Sequence, residues 1–133
     1  MLFAIPLMIF PLIGYNAVAF SRGDIWSDVA FEFVMVRGAG FTVTAGGILL
    51  LVALVVLFLE ILKATRIGTG SIVDHLASTF VFIVALVELL LVESAATETF
   101  FLFTVITLID VIAGFSITIR TARRDISLDP NAL

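Results

Sequence analysis

The chain lacks cysteine and has few of the residues that build catalytic or metal sites. Its 133 residues include one His, one Trp, one Tyr and three Pro, and charged residues make up 14%. The absence of Cys excludes disulfides, thiolate metal ligands and a Cys nucleophile. The seven Lys and Arg residues form no basic face interleaved with aromatic residues. Nucleic acid is therefore not an expected partner.

Apolar residues are what the chain has in excess. They make up 62% of it, and the mean hydropathy is +1.27. Soluble domains are closer to half apolar, and a domain of this size buries only a limited fraction of its surface. A bilayer removes that difficulty, because it covers apolar surface without a large core. The composition therefore predicts an integral membrane protein.

Four segments are long and apolar enough for membrane-spanning helices, which need about 20 mostly apolar residues. The predicted helices cover residues 2–20, 45–63, 72–92 and 99–119. Pro6 and Pro11 lie in the first segment and predict a helix that is kinked or begins late. Residues 120–133 are predicted to be a polar tail. The whole chain, residues 1–133, is predicted to form one membrane domain.

The long connection between the first two helices has a different pattern. From Val29 to Val36, Phe31 and Phe33 recur with the period of two that is typical of a strand. A glycine-containing turn follows at residues 37–40, and then a β-branched run. The pattern predicts a β-hairpin over residues 29–44, with an irregular loop or a short interfacial helix as alternatives. Trp26, just before it, is expected at the headgroup level.

The positions of the basic residues predict the topology. One predicted side carries Lys63, Arg66, Arg120, Arg123 and Arg124, and the other carries Arg22 and Arg37. The positive-inside rule places the larger group in the cytoplasm. Both termini are then cytoplasmic, in a bacterial inner membrane. The predicted fold is an all-α bundle of four transmembrane helices with a short extracytoplasmic β-hairpin between helices 1 and 2.

Two carboxylates inside apolar segments are the strongest candidates for a functional site. Glu88 and Asp110 each face an insertion cost of roughly 2.5 kcal/mol or more, so each is expected to have a partner or a task. Thr107 and Gly114 share the helical face of Asp110. Asp110 is interpreted either as a protonatable site or as a residue that holds packed helices together. Glu88 lies either on a polar path with Asp110 or at an interface.

A group of charged residues is predicted near the cytoplasmic ends of helices two and three. Its members are Glu60, Lys63, Asp74 and His75. Charge pairing at the membrane interface is the favoured interpretation. A metal site is disfavoured, because one His and two carboxylates without a recognised spacing are a sparse ligand set. Three further basic residues are predicted to contact lipid headgroups: Arg120, Arg123 and Arg124.

Two stretches of the sequence resemble a group of small, four-span bacterial inner-membrane proteins without an assigned activity. The stretches are LEILKATRIGTGSIVDHLASTFVFIVALVELLLV and ATETFFLFTVITLIDVIAGFSITIRTARRD, about half of the chain. The resemblance implies an intact four-helix membrane protein. It implies no catalytic residue, substrate or partner.

Two functions remain in view from the sequence. The favoured one is a non-enzymatic membrane subunit, which acts as an accessory, assembly or scaffold protein of a membrane complex or a homo-oligomer. The alternative is a small proton- or cation-coupled transporter, or a channel-like oligomer, that uses Glu88 and Asp110. Lipids and other membrane subunits, or further copies of the chain, are the expected partners, and no cofactor is expected.

Overall fold

The computed structural model describes residues 5–66 and 71–128. The chain is mostly helical (74%), with four α-helices and one two-stranded antiparallel sheet. The elements in chain order are α1 (Ile9–Arg22), β1 (Val29–Val34), β2 (Gly40–Thr44), α2 (Ala45–Ala64), α3 (Ser71–Leu91), a 3-10 turn (Glu93–Ala95) and α4 (Glu98–Leu128). Within the described residues, α2, α3 and α4 are long and apolar enough to cross a bilayer. The protein is therefore a membrane protein of the predicted helical class.

Helix α1 is shorter than the predicted helix at residues 2–20. It begins at Ile9, and residues 1–4 lie outside the described part of the chain. Pro11 falls in the first turn, where backbone N–H groups have no partner within the helix and proline is tolerated. Pro6 precedes the helix, and its carbonyl accepts a hydrogen bond from Ile9 N–H at 3.1 Å. Of the two predicted effects of the prolines, a kink or a late start, the helix shows the late start.

The predicted β-hairpin is present. Phe31, Phe33 and Glu32 in β1 pair with Val43, Phe41 and Thr42 in β2, in that order. Residues 35–39 form the loop, which begins two residues before the predicted turn at 37–40. Gly38 takes a positive φ of 82° in this loop. The register shifts between Val29 and Phe31, where the pairing is irregular. The two strands pair only with each other.

Helix α4 is the central helix of the bundle, because it packs along both α2 and α3. Its inward face carries small, aromatic and polar residues in a helical repeat. The fully buried side chains include Phe100, Phe103 and Thr107 from this face, with Tyr15 and Met8 from the N-terminal segment. Opposite faces of α2 and α3 expose large apolar residues, as expected of surfaces in contact with lipid.

The predicted boundary between helix four and the tail is wrong. Helix α4 continues through residue 119 to Leu128 and contains 31 residues. The extension is polar, which is why hydropathy placed the end of the helix early. Its Arg, Ala and Leu residues are nevertheless good helix formers. Residues 129–133, and the glycines expected in the turn at residues 67–70, lie outside the described part of the chain.

A close backbone contact joins the segment before the hairpin to the start of α2, beside the Thr99 side chain of α4. Gly46 N–H donates to the Trp26 carbonyl at 2.9 Å, and a Cβ on Gly46 would lie 2.9 Å from that same oxygen and against Thr99. Thr44 caps α2, since its hydroxyl accepts from Gly47 N–H at 3.0 Å. The strand β2 therefore passes directly into a membrane-spanning helix.

Candidate functional site

Glu88 lies on the hairpin side of the bundle and has a partner in the same chain. Its Oε2 accepts a hydrogen bond from Asn16 Nδ2 on α1 at 2.8 Å. The Asn16 amide also donates to the Leu12 carbonyl at 3.1 Å. Asn16 and Glu88, the hairpin-side polar group, thus link α1 to α3. A charge-assisted hydrogen bond of this kind fixes the relative position of two helices.

Tyr15 and Trp26 lie beside this group, inside the protein. Tyr15 is fully buried, and its ring stacks on Trp26 with centroids 4.4 Å apart. The hydroxyl donates to the Ser94 carbonyl at 2.8 Å and is 2.7 Å from Thr97 Oγ1. Trp26 is 6% exposed, because the ring of Tyr15 stacks on it, and its expected position at the headgroup level stays a prediction.

Asp110 lies near the middle of α4, and its side chain is 6% exposed. The carboxyl group interacts electrostatically with the nearby Ser78 side chain on α3. Thr107, one turn earlier, is also buried, but its hydroxyl donates to the Thr104 carbonyl of its own helix at 2.7 Å. Thr107 therefore satisfies its polar group locally. Asp110 is the residue of this pair whose polar group faces another helix.

His75 and Thr118 form a second polar contact between α3 and α4. The His75 ring is hydrogen-bonded to the Thr118 hydroxyl and lies against Phe115 with centroids 5.5 Å apart. Gly114 makes room for the ring, because a Cβ there would be 2.5 Å from His75 Nδ1. This geometry accounts for a glycine inside a membrane helix, where it allows close approach of side chains from the neighbouring helix.

The predicted charge group is centred on Lys63. The Lys63 ammonium nitrogen is 3.6 Å from a Glu60 carboxylate oxygen and 3.3 Å from Asp74 Oδ1. Lys63 thereby links α2 to α3. His75 is adjacent in sequence but makes its contact with Thr118 on α4. The four residues thus lie close together while serving two different helix contacts.

Glu60 and Lys63 also bind the backbone of the segment before α1. The Leu7 N–H donates to Glu60 Oε1, and Lys63 Nζ donates to the Ile5 carbonyl at 3.1 Å. Glu60 is only 5% exposed. Non-helical backbone at membrane depth is tolerated only where protein satisfies its polar groups. These two side chains supply the partners that a continuous helix would otherwise provide.

The side chains of Glu60, Lys63, Asp74, His75 and Asp110 form the far-side polar group. Glu60 and Lys63 act electrostatically on Asp110 across the bundle. Apart from the Glu60–Lys63 pair within α2, the contacts of this group join different elements of the chain. The arrangement can therefore hold α2, α3, α4 and the N-terminal segment together.

Glu88 and Asp110 belong to different groups. Ser78, which lies near Asp110, is ten residues before Glu88 on α3, which corresponds to about 15 Å along a helix at 1.5 Å per residue. Val81 and Ala85 are buried between them on α3. The two carboxylates are thus more than one helical turn apart along the bundle.

The three predicted lipid-contacting arginines lie on the α4 extension. Arg120, Arg123 and Arg124 are exposed, and their spacing places them on one side of the helix. Among the described residues, no group of three His, Asp or Glu side chains is arranged to hold a metal ion.

Sequence reasoning predicted the pairing of Glu60, Lys63 and Asp74 but missed the neighbours of Glu88, Asp110 and His75. Asn16 donates to Glu88, Thr118 is hydrogen-bonded to His75, and Ser78 lies near Asp110. A usable signal was present for Ser78, which follows His75 by three residues and so shares its helical face. No comparable signal pointed to the Leu7 N–H or the Ile5 carbonyl, because these backbone groups do not depend on the type of residue.

No family model, curated protein or solved structure matches the chain. The resemblance to four-span proteins of unassigned activity therefore stays a prediction.

Proposed function

We propose that this protein is a non-enzymatic membrane subunit that assembles with other membrane proteins or with further copies of itself. The observation that supports this is the use made of the buried polar side chains. Glu88 accepts a hydrogen bond from Asn16, Lys63 pairs with Glu60 and Asp74, and Asp110 interacts electrostatically with Ser78. These side chains use their hydrogen bonds and charges for contacts within the chain itself.

The exposed surface supports the same role. Beyond the four helices the described chain has only a hairpin and short connections, so it offers little water-exposed surface for an active site. Only 22% of the apolar windows of α2 and of α3 is buried. Their remaining surface is available to lipids and to the helices of partners, which associate through close packing.

A transporter is the second candidate, and the separation of its two carboxylates weakens it. Proton or cation coupling through Glu88 and Asp110 would need a polar route between them. On α3 the buried residues between the two levels, Val81 and Ala85, are apolar, and on α4 the hydroxyls of Thr104 and Thr107 donate to carbonyls of their own helix. The electrostatic interaction between Glu60 and Asp110 favours this candidate, since ionisable groups inside a membrane protein often mark ion or proton pathways.

We further propose a bacterial inner-membrane location with four spans and both termini cytoplasmic. The basic bias of five to two supports the orientation. The contacts of Ile5 and Leu7 near the end of α2, with Trp26 beside its start, support a first segment that crosses alongside α2. In this orientation Arg120, Arg123 and Arg124 would face the anionic headgroups of the cytoplasmic leaflet.

The orientation predicts opposite labelling of two exposed positions. The chain has no native Cys, so Val36→Cys and Ser127→Cys are single reactive sites. Val36→Cys is expected to react with a membrane-impermeant maleimide in cells with a permeabilised outer membrane. Ser127→Cys is expected to react only after the inner membrane is opened. Labelling of both positions from the same side would refute the orientation.

The subunit proposal is tested by the mass of the particle extracted with its lipids. The chain has a mass of 14.4 kDa, so an additional protein or copy is readily detected. Polymer-bounded lipid discs taken directly from the membrane are expected to hold more than one protein chain in fixed proportion. Bulky substitutions then compare two exposed helix faces. Val87→Trp and Leu90→Trp change the face of α3, and Leu51→Trp and Val55→Trp change the face of α2. Loss of the additional chain with one pair and not with the other identifies the face that binds it. A single chain in every disc would overturn the proposal.

A further inference from the structure

The hairpin has one aromatic face that contacts no other part of the described chain closely enough to bury it. Cross-strand pairing places Phe31 beside Val43 and Phe33 beside Phe41 on the same side of the sheet. The three Phe side chains are 57%, 52% and 49% exposed in chain order. The opposite side carries Glu32 and Thr42 as a pair. The hairpin is therefore amphipathic.

Such a hairpin is poorly suited to stand alone in water. Two strands without a further packing surface are marginally stable. Each exposed Phe adds apolar area whose removal from water is favourable by roughly 25 cal/mol per Å². Some surface must cover the aromatic face, and the geometry at the hairpin root indicates which one.

The aromatic face is continuous with an apolar stripe of α2. Val43 at the base of the hairpin lies beside the first turn of α2, since its Cγ1 is 3.8 Å from the place that a Cβ on Gly47 would occupy. One helical turn after Gly47, an exposed stripe begins that consists of Leu51, Val55, Phe58 and Leu62. Their spacing of four, three and four residues places them on one helix face. That face belongs to a helix long enough to cross the bilayer.

The length of α2 places the hairpin root at the edge of the hydrocarbon layer. Its 20 residues span about 30 Å, which is the thickness of the bilayer core. The headgroup layer beyond it is only about 5–7 Å thick on each side. A strand of five residues reaches roughly 17 Å. A hairpin perpendicular to the membrane would carry Phe33 and Phe41 past the headgroups into water, whereas a tilted hairpin keeps them in the interface.

The charges of the hairpin are also compatible with a lipid surface. No charged residue lies on the aromatic face, and Glu32 lies on the other face. Arg37, in the exposed loop at the tip, can extend its guanidinium to lipid phosphates. A protein partner for this face would have no charged group to recognise.

We propose that the hairpin lies on the membrane with Phe31, Phe33 and Phe41 inserted into the interfacial layer of the lipid. The hairpin then anchors the start of α2 and orients the connection between α1 and α2 along the membrane surface. This inference rests on the membrane placement of α2 and does not depend on the subunit role, so either proposal can fail without the other.

Spin labels on adjacent positions of the hairpin test the insertion. Phe33→Cys, Phe41→Cys and Val34→Cys are each labelled with a nitroxide in the full-length, otherwise Cys-free chain. The chains are reconstituted into vesicles of phosphatidylethanolamine and phosphatidylglycerol, and Leu51→Cys serves as the lipid-facing reference. Labels at 33 and 41 are expected to collide several-fold more with oxygen than with a water-soluble nickel chelate. The label at 34 is expected to show the reverse preference.

Two outcomes would overturn the proposal. Equal nickel accessibility at 33, 41 and 34 would mean that the hairpin stands in water. Shielding of 33 and 41 from both oxygen and nickel would mean that protein covers the face, and spin–spin coupling in that case would identify a second copy. Because these positions are exposed and lie outside the bundle core, the substitutions do not test the folding of the bundle.

Discussion

Glu60→Leu is expected to lower the free energy of unfolding by about 2–3 kcal/mol, since the Leu7 N–H is left without its acceptor and Lys63 keeps Asp74 as its charged partner. Glu60 binds Lys63 and the Leu7 N–H, and the side chain is 5% exposed. Leucine fills the space but offers no acceptor, so a backbone N–H and a Lys charge both lose a partner. Unfolding in mixed micelles with a denaturing detergent measures the loss.

Two matched variants separate the contributions of Glu60. Glu60→Gln keeps an oxygen for the Leu7 N–H and is expected to cost about 1 kcal/mol, the usual value of one net hydrogen bond. Glu93→Leu removes an exposed carboxylate and is expected to change stability by less than about 0.5 kcal/mol. If Glu60→Leu is as stable as the original chain, Glu60 does not hold the N-terminal segment.

Asp110→Leu is expected to cost about 1–2 kcal/mol, and Asp110→Asn is expected to be nearly neutral. The Asp110 carboxyl group is buried and interacts electrostatically with Ser78 between α3 and α4. Asparagine retains the size and an acceptor, whereas leucine removes the acceptor and brings bulk to a helix contact. The magnitude follows from polar interactions between membrane helices, which contribute up to about 1.7 kcal/mol.

A double-mutant cycle isolates this contact. Ser78→Ala removes the partner hydroxyl, so Asp110→Leu is expected to cost less in the Ser78→Ala chain than in the original chain. The stability of the original chain, the two single variants and the double variant is measured by thermal unfolding in detergent. Equal stability of Asp110→Leu and Asp110→Asn would show that Asp110 does not hold α3 against α4.

The hairpin was predictable because its signals are local. Alternation in β1, the glycine in the loop and the β-branched residues of β2 all lie within residues 29–44. Apolar runs fixed α2 and α3 to within about two residues for the same reason. Each of these features depends on residues that are neighbours in the chain.

The start of α1 depends on contacts that the local pattern does not contain. Leu7 and Glu60 are 53 residues apart, and their hydrogen bond satisfies backbone that no helix satisfies. The end of α4 differed for another reason: hydropathy reports membrane depth, while helix formation continues in water wherever propensity allows. Segment length and composition therefore gave too short a helix for α4 and too long a helix for α1.

The candidate residues were found without their partners. An apolar background makes Glu88 and Asp110 conspicuous, but Asn16 and Ser78 are ordinary residues on other helices. Trp26 illustrates the same limit, since its burial against Tyr15 depends on how α1 meets the start of α4. Residue type indicated where polar contacts were needed, and only the packing of helices decided which residues supplied them.

We propose that the polar side chains inside the membrane hold the bundle together and do not move ions. Proton flux into vesicles distinguishes these two roles. The chain and its Asp110→Asn variant are reconstituted with a pH-sensitive dye inside, and a pH gradient and a membrane potential are applied. Proton entry is expected to equal that of protein-free vesicles for both proteins. Flux above that level in the original chain, lost in Asp110→Asn, would show that Asp110 takes part in proton movement.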